Sequence, residues 1–324
     1  MSPLPAVILA IGNSNHQSQL AYNRPRAMLP VLGKPLVLRA METLYKAGIQ
    51  HYIVVVGEDE GSVAAYLNSQ WLPNVQVEFV LQPASSSLTR TLAQLTQRLK
   101  TRFILASYNT FVHSNFPERL LKHPDDGLVL SGAPLSLSKS RTSYFAAVEG
   151  QTIRRITQEV TEGQNAVLLA NMAVCGDMFI QYLSSLRLNT SVFTNQFLDI
   201  ARLYLQSGGT SALAETAWTL PIETDYDLLT LNRHFLDDQQ DSHILSELPG
   251  SVQIIPPVRI DPHVSVGQGA RLGPRVYLES GCSIGRNAVI SDAVIFQNAV
   301  VPAEKIIHDA IISTRLQISG TDAR

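Results

Sequence analysis

Hydrophobic positions along this chain fall into successive patterns that change character twice. Up to Leu105, short continuous apolar runs alternate with amphipathic stretches. Ala6–Ala10 and Tyr52–Val56 are apolar throughout, as strands buried on both faces of a parallel sheet should be. Between them, Leu36, Ala40, Leu44 and Ala47 share one helical face over 35–47, and Gly48 stands where a C-cap glycine belongs. Stretches 62–67 and 88–99 read as further helices, and 75–81 and 102–105 as further strands. This cadence predicts βαβ units in an α/β, Rossmann-like, doubly wound sheet. From about Gly127 the strands crowd together, with Gly150-Gln151 as a hairpin turn between 145–148 and 153–156, so a mixed sheet is expected. Helices return over 194–206 and 225–236.

The last quarter changes period. Val258, Val264, Ala270, Val276, Cys282, Ala288, Val294, Val300 and Ile306 recur every six residues. A second register, Ile260, Val266, Leu272, Leu278, Ile284, Ile290 and Phe296, runs two positions later. A period of six matches neither a helix nor a strand. It predicts a short C-terminal left-handed parallel β-helix of hexapeptide repeats, each hexad forming one side of a prism. The polar run 237–242 separates the two patterns, so the expected domains are 1–243 and 250–314, with a tail over 315–324. Val289, Ile295 and Val301 are expected on the outer flat faces of the prism. Apolar faces and open strand edges call for cover, which predicts a homo-oligomer, most simply a dimer.

Composition narrows the function classes. The chain has 324 residues, 45% of them hydrophobic, enough for two buried cores. A formal charge of −2 with no basic run leaves no electrostatic case for nucleic acid or a membrane surface. No apolar run approaches the ~18 residues of a membrane span. Met1–Pro5 leads directly into a strand-like run without a signal-peptide pattern, so a cytoplasmic location is expected. Cys175 and Cys282 are isolated and show neither a disulfide framework nor a zinc spacing.

Ile8-Leu9-Ala10-Ile11-Gly12, followed by Arg24-Pro25-Arg26-Ala27-Met28-Leu29-Pro30-Val31-Leu32-Gly33-Lys34-Pro35-Leu36, resembles the N-terminal signature of sugar-phosphate nucleotidyltransferases (sugar-nucleotide pyrophosphorylases). The likeness extends over nearly the whole chain, since many such proteins also carry a β-helix. It implies transfer of a nucleotide onto a sugar 1-phosphate with release of pyrophosphate, assisted by Mg²⁺. Nucleotide contacts are implied at Leu9, Ala10, Gly12, Arg26, Gln82 and Ser87, where loop amides cradle phosphates and the segment after Gln82 reads the base. Sugar contacts are implied at Glu159 and Asn171.

Several positions depart from the family pattern. The loop 12–20 keeps Gly12 but has no arginine, and Arg26 stands in place of a lysine. Ser87 replaces a glycine, and Gln158-Glu159-Val160-Thr161 replaces Glu-Lys-Pro. The metal-holding aspartates fall on Tyr108, or on Asn109 if the alignment moves by one, and on Pro221; Glu223 is the neighbouring carboxylate. Together these departures imply a catalytically impaired protein with a regulatory or assembly role. It would keep residual binding of a nucleoside triphosphate or NDP-sugar, as a homo-oligomer or in complex with an active relative. The alternatives are an active sugar-1-phosphate nucleotidyltransferase using Mg²⁺ and unusual residues, and a scaffold that binds nothing. His263 and His308, in or near the repeats, suggest acyl transfer only by position and read as solvated turn residues.

Overall fold

A computed structural model of the chain describes residues 4–12, 18–69, 74–124, 126–134, 143–159, 166–186 and 194–320. They open with β1 (Ala6–Ala10), β2 (Pro30–Val31), β3 (Lys34–Pro35), α1 (Leu36–Lys46), β4 (His51–Gly57), α2 (Gly61–Ser69), β5 (Gln76–Gln82) and α3 (Leu88–Leu95). Next come β6 (Phe103–Ser107), β7 (Thr110–Val112), α4 (Phe116–Leu121), β8 (Leu128–Pro134), β9 (Phe145–Glu149) and β10 (Thr152–Thr157). β11 (Ala166–Cys175), α5 (Asp177–Ser185), α6 (Phe197–Gln206), β12 (Ser211–Glu215) and β13 (Thr219–Pro221) follow. The chain divides into two compact units, one of Met1–His16, Arg24–Met28 and Leu36–Glu223, the other of Gln17–Asn23, Leu29–Pro35 and Thr224–Arg324.

The first unit is a mixed α/β, Rossmann-like sheet of nine strands, ordered β5-β4-β1-β6-β11-β8-β12-β10-β9. β1 runs parallel to both neighbours, with Val7 beside Ile53 and Leu105. β11 runs antiparallel to β6 and β8. The apolar runs of β1 and β4 are continuous because both of their faces are covered. Val7, Leu9, Ile53 and Val55 pack with Leu92 of α3, Phe179 of α5 and Phe197 of α6. Ala6, Ile8 and Ala10 are buried on the opposite face, where α1 packs beside β1 and α4. α3 stops at Leu95, about a turn short of the expected end, while Leu99 stays buried as the chain turns.

The second unit begins with α7 (Asp225–Gln239). Thr224 caps it: its Oγ1 accepts from the Asp227 amide at 3.2 Å, and the Asp227 carboxylate accepts from the Thr224 amide at 2.7 Å. Asn232 of α7 is fully buried and holds the β2–β3 hairpin, accepting from the Leu32 amide at 3.2 Å. Gly33 in that hairpin has φ +76°, and a Cβ there would lie 2.3 Å from the Arg259 guanidinium. This glycine of the signature therefore serves a turn and a close approach.

A stack of short parallel strands completes the unit: β14 (His243–Ile244), β15 (Gln253–Ile254), β16 (Val258–Ile260), β17 (Ser265–Val266), β18 (Arg271–Leu272) and β19 (Val276–Leu278). Above them lie β20 (Ser283–Ile284), β21 (Val289–Ile295), β22 (Val300–Val301) and β23 (Ile306–Ile312), and β24 (Gln317–Ser319) folds back antiparallel on β23. Val258 pairs with Val276, Ser265 with Ser283 and Arg271 with Val289, a step of eighteen residues each time. The step then shortens to seventeen: Val276 pairs with Ala293, Ser283 with Val300, Val289 with Ile306.

That missing residue corrects the six-residue reading. Beyond Ala288 the small inward positions are Ala293 and Ala299, and the second register continues at Ile295, Val301 and Ile307. Ile295 and Val301, expected on the outer faces, are core residues, and Val289 is half-buried. Val300 and Ile306, expected inside, are 67% and 72% exposed. Val294 is buried for another reason: together with Tyr277 it lies outside the inner cluster, on strands that pack against α7. The shortening falls at the corner where Asp292 takes φ 48°. A one-residue change in count moves every later side chain to a different face.

Exposure gives a direct check. Ile307→Ser is expected to cost ~2–5 kcal/mol, the range for emptying a buried aliphatic site. Ile306→Ser is expected to stay within ~0.5 kcal/mol of the parent, as surface changes do. Urea denaturation of the two variants measures both, and equal losses would refute the shortened register.

Candidate functional site

Of the residues implied to hold a nucleotide, Leu9, Ala10 and Gly12 lie at the C-terminal end of β1, and Gln82 ends β5, where it pairs with Gly57 of β4. Leu9 and Ala10 end β1 and are buried, with Leu9 paired to Ser107 and Ala10 to Val56. Gly12 follows at the start of the loop, and residues 13–17 lie outside the described set. The Gly12 amide has an internal partner. The carboxylate of Glu60 accepts from it and, at 2.8 Å, from the amide of Gly57. A Cβ on Gly12 would come within 2.8 Å of Glu60 Oε1, which shows how closely the carboxylate lies over the turn. Glu60 is only 7% exposed, and burial raises its pKa above the usual carboxylate range despite the two amide donors.

Tyr108 fills the adjoining space. Its amide donates to Leu9 O at 3.1 Å, and its side chain is 3% exposed. Burial pushes the phenol up to about 12, with Arg26 opposing and Glu60 reinforcing the shift. Arg26 is buried as well, and its Nη2 donates to the carbonyls of Glu223 at 2.6 Å and Ile222 at 3.3 Å.

The two positions implied to bind metal do come together. β7 and β13 pair antiparallel, placing Pro221 beside Thr110. Asn109 O accepts from the Ile222 amide at 2.7 Å, and Asn109 Nδ2 donates back to Ile222 O at 3.3 Å. Ser107 Oγ donates to Asn109 Oδ1 at 2.6 Å. The groups brought together are a buried phenol, an amide engaged at both ends and a proline ring. This donor set does not fit Mg²⁺, which is held chiefly by carboxylates. Among the described residues no cluster of three or more His, Cys, Asp or Glu could hold a metal ion.

The implied base-reading segment is also occupied. Asn195 Oδ1 accepts from the Leu88 amide at 3.0 Å and from Gln82 Nε2 at 3.3 Å. Gln82 is buried, and its Oε1 has no hydrogen-bond partner among the described residues. Ser87 caps α3, its Oγ accepting from the Arg90 amide at 3.2 Å. The implied sugar residues lie apart from this group. Asn171 is half-buried where the β11–β8 register is interrupted between Leu169 and Ala173. Glu159 is exposed after β10, its amide donating to Thr157 Oγ1 at 3.1 Å. Val160 and Thr161 lie outside the described residues.

Sequence reasoning missed Glu60 and Asn195. Gly57-x-x-Glu60 was readable as a helix-capping pattern, but nothing local announces the reach to Gly12. Asn195 lies 107 positions from Leu88, too far for any spacing rule.

Two family models match the chain. Nucleotidyl transferase matches residues 5–145, the span that carries β1, Gly12, Arg26, Gln82 and Tyr108. Over that span the chain is similar to the nucleotidyl transferase family. Its last part, residues 254–322, matches the C-terminal domain described for GMPPB. Among individual nucleotidyl transferase relatives, the bifunctional protein GlmU of Methanococcus maripaludis strain C5 is 20% identical over 338 residues, covering 95% of this chain and 77% of that protein. GlmU of Exiguobacterium sp. is 22% identical over 333 residues, covering 97% and 71%. Among solved structures, a putative glucose-1-phosphate thymidylyltransferase from Bacillus anthracis superposes with a TM-score of 0.59 at 15% identity, covering 71% of this chain and 94% of that one. The inositol-1-phosphate CTP transferase from T. maritima gives 0.58 at 15%, covering 72% and 97%. At that identity the superpositions establish the fold alone. Among the described residues no helix is long and apolar enough to cross a membrane.

Proposed function

We propose that this protein belongs to the nucleotidyl transferase family, has little or no pyrophosphorylase activity and serves a regulatory or assembly role, with a weakened nucleotide or sugar-nucleotide site. One observation carries the reading. The Gly12 amide, the Gln82 side chain and the Arg26 guanidinium, the groups implied to face a nucleotide, are bonded to Glu60, Asn195 and the Ile222 and Glu223 carbonyls. A triphosphate would have to displace a carboxylate that is already in place, and no carboxylate at Tyr108 or Pro221 would hold Mg²⁺ beside it. Charge developed in phosphoryl transfer then lacks stabilisation worth several kcal/mol.

For the second unit, the eighteen-residue step, three strands to a coil, supports a left-handed parallel β-helix of hexapeptide repeats. Assembly as a dimer, or with an active relative, fits the exposed Val300 and Ile306 near the last strands better than the residues first expected there.

Calorimetry with the common nucleoside triphosphates and Mg²⁺, followed by a pyrophosphate-release assay with sugar 1-phosphates, tests the reading. The expected result is binding no tighter than millimolar and no release above background. A kcat of ~1 s⁻¹ or more, within the ordinary enzyme range, would establish the active alternative.

A further inference from the structure

We propose that β5 is a dimerisation edge, pairing antiparallel with β5 of a second copy of this chain about a two-fold axis at Phe79. This deepens the assembly reading above and rests on it, but draws the contact from β5 rather than from Val300 and Ile306. Strand topology singles β5 out. β9, at the other end of the sheet order, pairs with both β10 and β11, and every strand between has two neighbours. Among the described residues β5 alone in this sheet has one neighbour, β4. Its register with β4 runs unbroken from Gln76 to Gln82, with no proline and no bulge to blunt the edge. Such an edge is a template for another strand.

Backbone phase decides which residues would meet. The Gln76 amide donates to Gln50 O at 2.8 Å, toward β4. Hydrogen-bonding directions alternate along a strand, so Gln76, Glu78, Val80 and Gln82 turn their N–H and C=O groups to β4. Those of Val77, Phe79 and Leu81 point outward, where among the described residues no strand meets them. An axis at Phe79 sets Phe79 against the partner's Phe79 and Val77 against the partner's Leu81. Every outward N–H and C=O group of β5 then finds a partner. An axis at Val80 would leave one bonded pair fewer, and an axis at Glu78 would also set two carboxylates directly opposite each other.

Side chains agree with that register. Successive residues of a strand face opposite sides of the sheet. On one side Val80 packs against the core, and Glu78 pairs with His51 at 2.9 Å and with Arg98. The charge of Glu78 is therefore met within its own subunit and does not guard the edge. On the other side Val77 and Phe79 are half-buried and Leu81 is 58% exposed. Self-pairing would lay each Val77 beside the partner's Leu81 with the two Phe79 rings between, an apolar band that covers Leu81. A second copy supplies this match by symmetry.

Light scattering on the full chain at micromolar concentration is expected to give the mass of two chains. Leu81→Lys, at an exposed position, is expected to raise the dimer dissociation constant at least tenfold with an unchanged melting temperature. Val77→Cys with Leu81→Cys is expected to cross-link the dimer on oxidation, and neither substitution alone should do so. Residues in a bonded antiparallel pair stand ~5.5 Å apart at Cα, within disulfide reach. An unaltered dissociation constant in folded Leu81→Lys, or no cross-link in the double variant, would overturn the β5 contact. If Val300→Asp with Ile306→Asp then separates the dimer, the assembly reading stands without β5. A monomeric parent would overturn the dimer on either surface.

Discussion

Installing aspartate at both implied metal positions, Tyr108→Asp with Pro221→Asp, is expected to give a destabilised protein that still releases no pyrophosphate at an ordinary enzyme rate. Tyr108 is 3% exposed, and its ring fills the space between β1, Glu60 and Arg26. Emptying a buried aromatic site costs ~3–5 kcal/mol. The new carboxylate would also face Glu60, whose own charge is already disfavoured by burial. Arg26 is the nearby cation, but its Nη2 is engaged with the Glu223 and Ile222 carbonyls. Pro221 is half-buried on β13, so Pro221→Asp alone should be far milder. Catalysis should not return, because the Gly12 amide stays occupied and groups that act as a unit do not contribute additively. Urea denaturation and the pyrophosphate assay measure the two halves. A double variant with parental stability and a kcat of ~1 s⁻¹ would mean that only the carboxylates were missing.

Glu60→Gln is the change expected to open the nucleotide loop. Hydrogen bonds to a charged group contribute ~1.5–3 kcal/mol, so removing the charge should strengthen nucleoside triphosphate binding by ~10- to 100-fold. Glutamine keeps an oxygen for one amide and preserves the volume, so the cap at Gly57 should survive. pH provides a second readout with a definite sign. Burial raises the folded-state pKa of Glu60, with Asp59 adding to the rise and the Gly57 and Gly12 amides opposing it. The stability due to its bound proton is complete below the unfolded value and is lost as pH rises through the raised folded value. On acidification through that window the carboxylate becomes neutral and its hold on Gly12 weakens. Nucleotide affinity of the parent should therefore rise toward acid relative to that of Glu60→Gln. Calorimetry at two pH values on both proteins decides this, and parallel behaviour would remove Glu60 from the argument.

The sequence by itself determined many of the elements and much of their order, though not α4 or α5. Continuous apolar runs at Ala6–Ala10 and in β4 can be buried only between two layers, and the Leu36–Leu44 stripe can face only one. Gly150 marked its hairpin, and the Thr224–Asp227 pair marked the start of α7, because turns and caps are local chemistry. The six-residue period was equally legible up to Ala288. Beyond it the pattern misled, since Val294, Val300 and Ile306 are as apolar as the residues that really face inward, and only strand pairing reveals the seventeen-residue step. That Tyr108 and Pro221 are not carboxylates could be seen in the letters. What fills the space could not. Glu60 over Gly12, Asn195 on Leu88 and Arg26 on Glu223 join segments far apart in the chain. A buried donor must find an acceptor wherever the fold brings one near, and that choice belongs to tertiary structure alone.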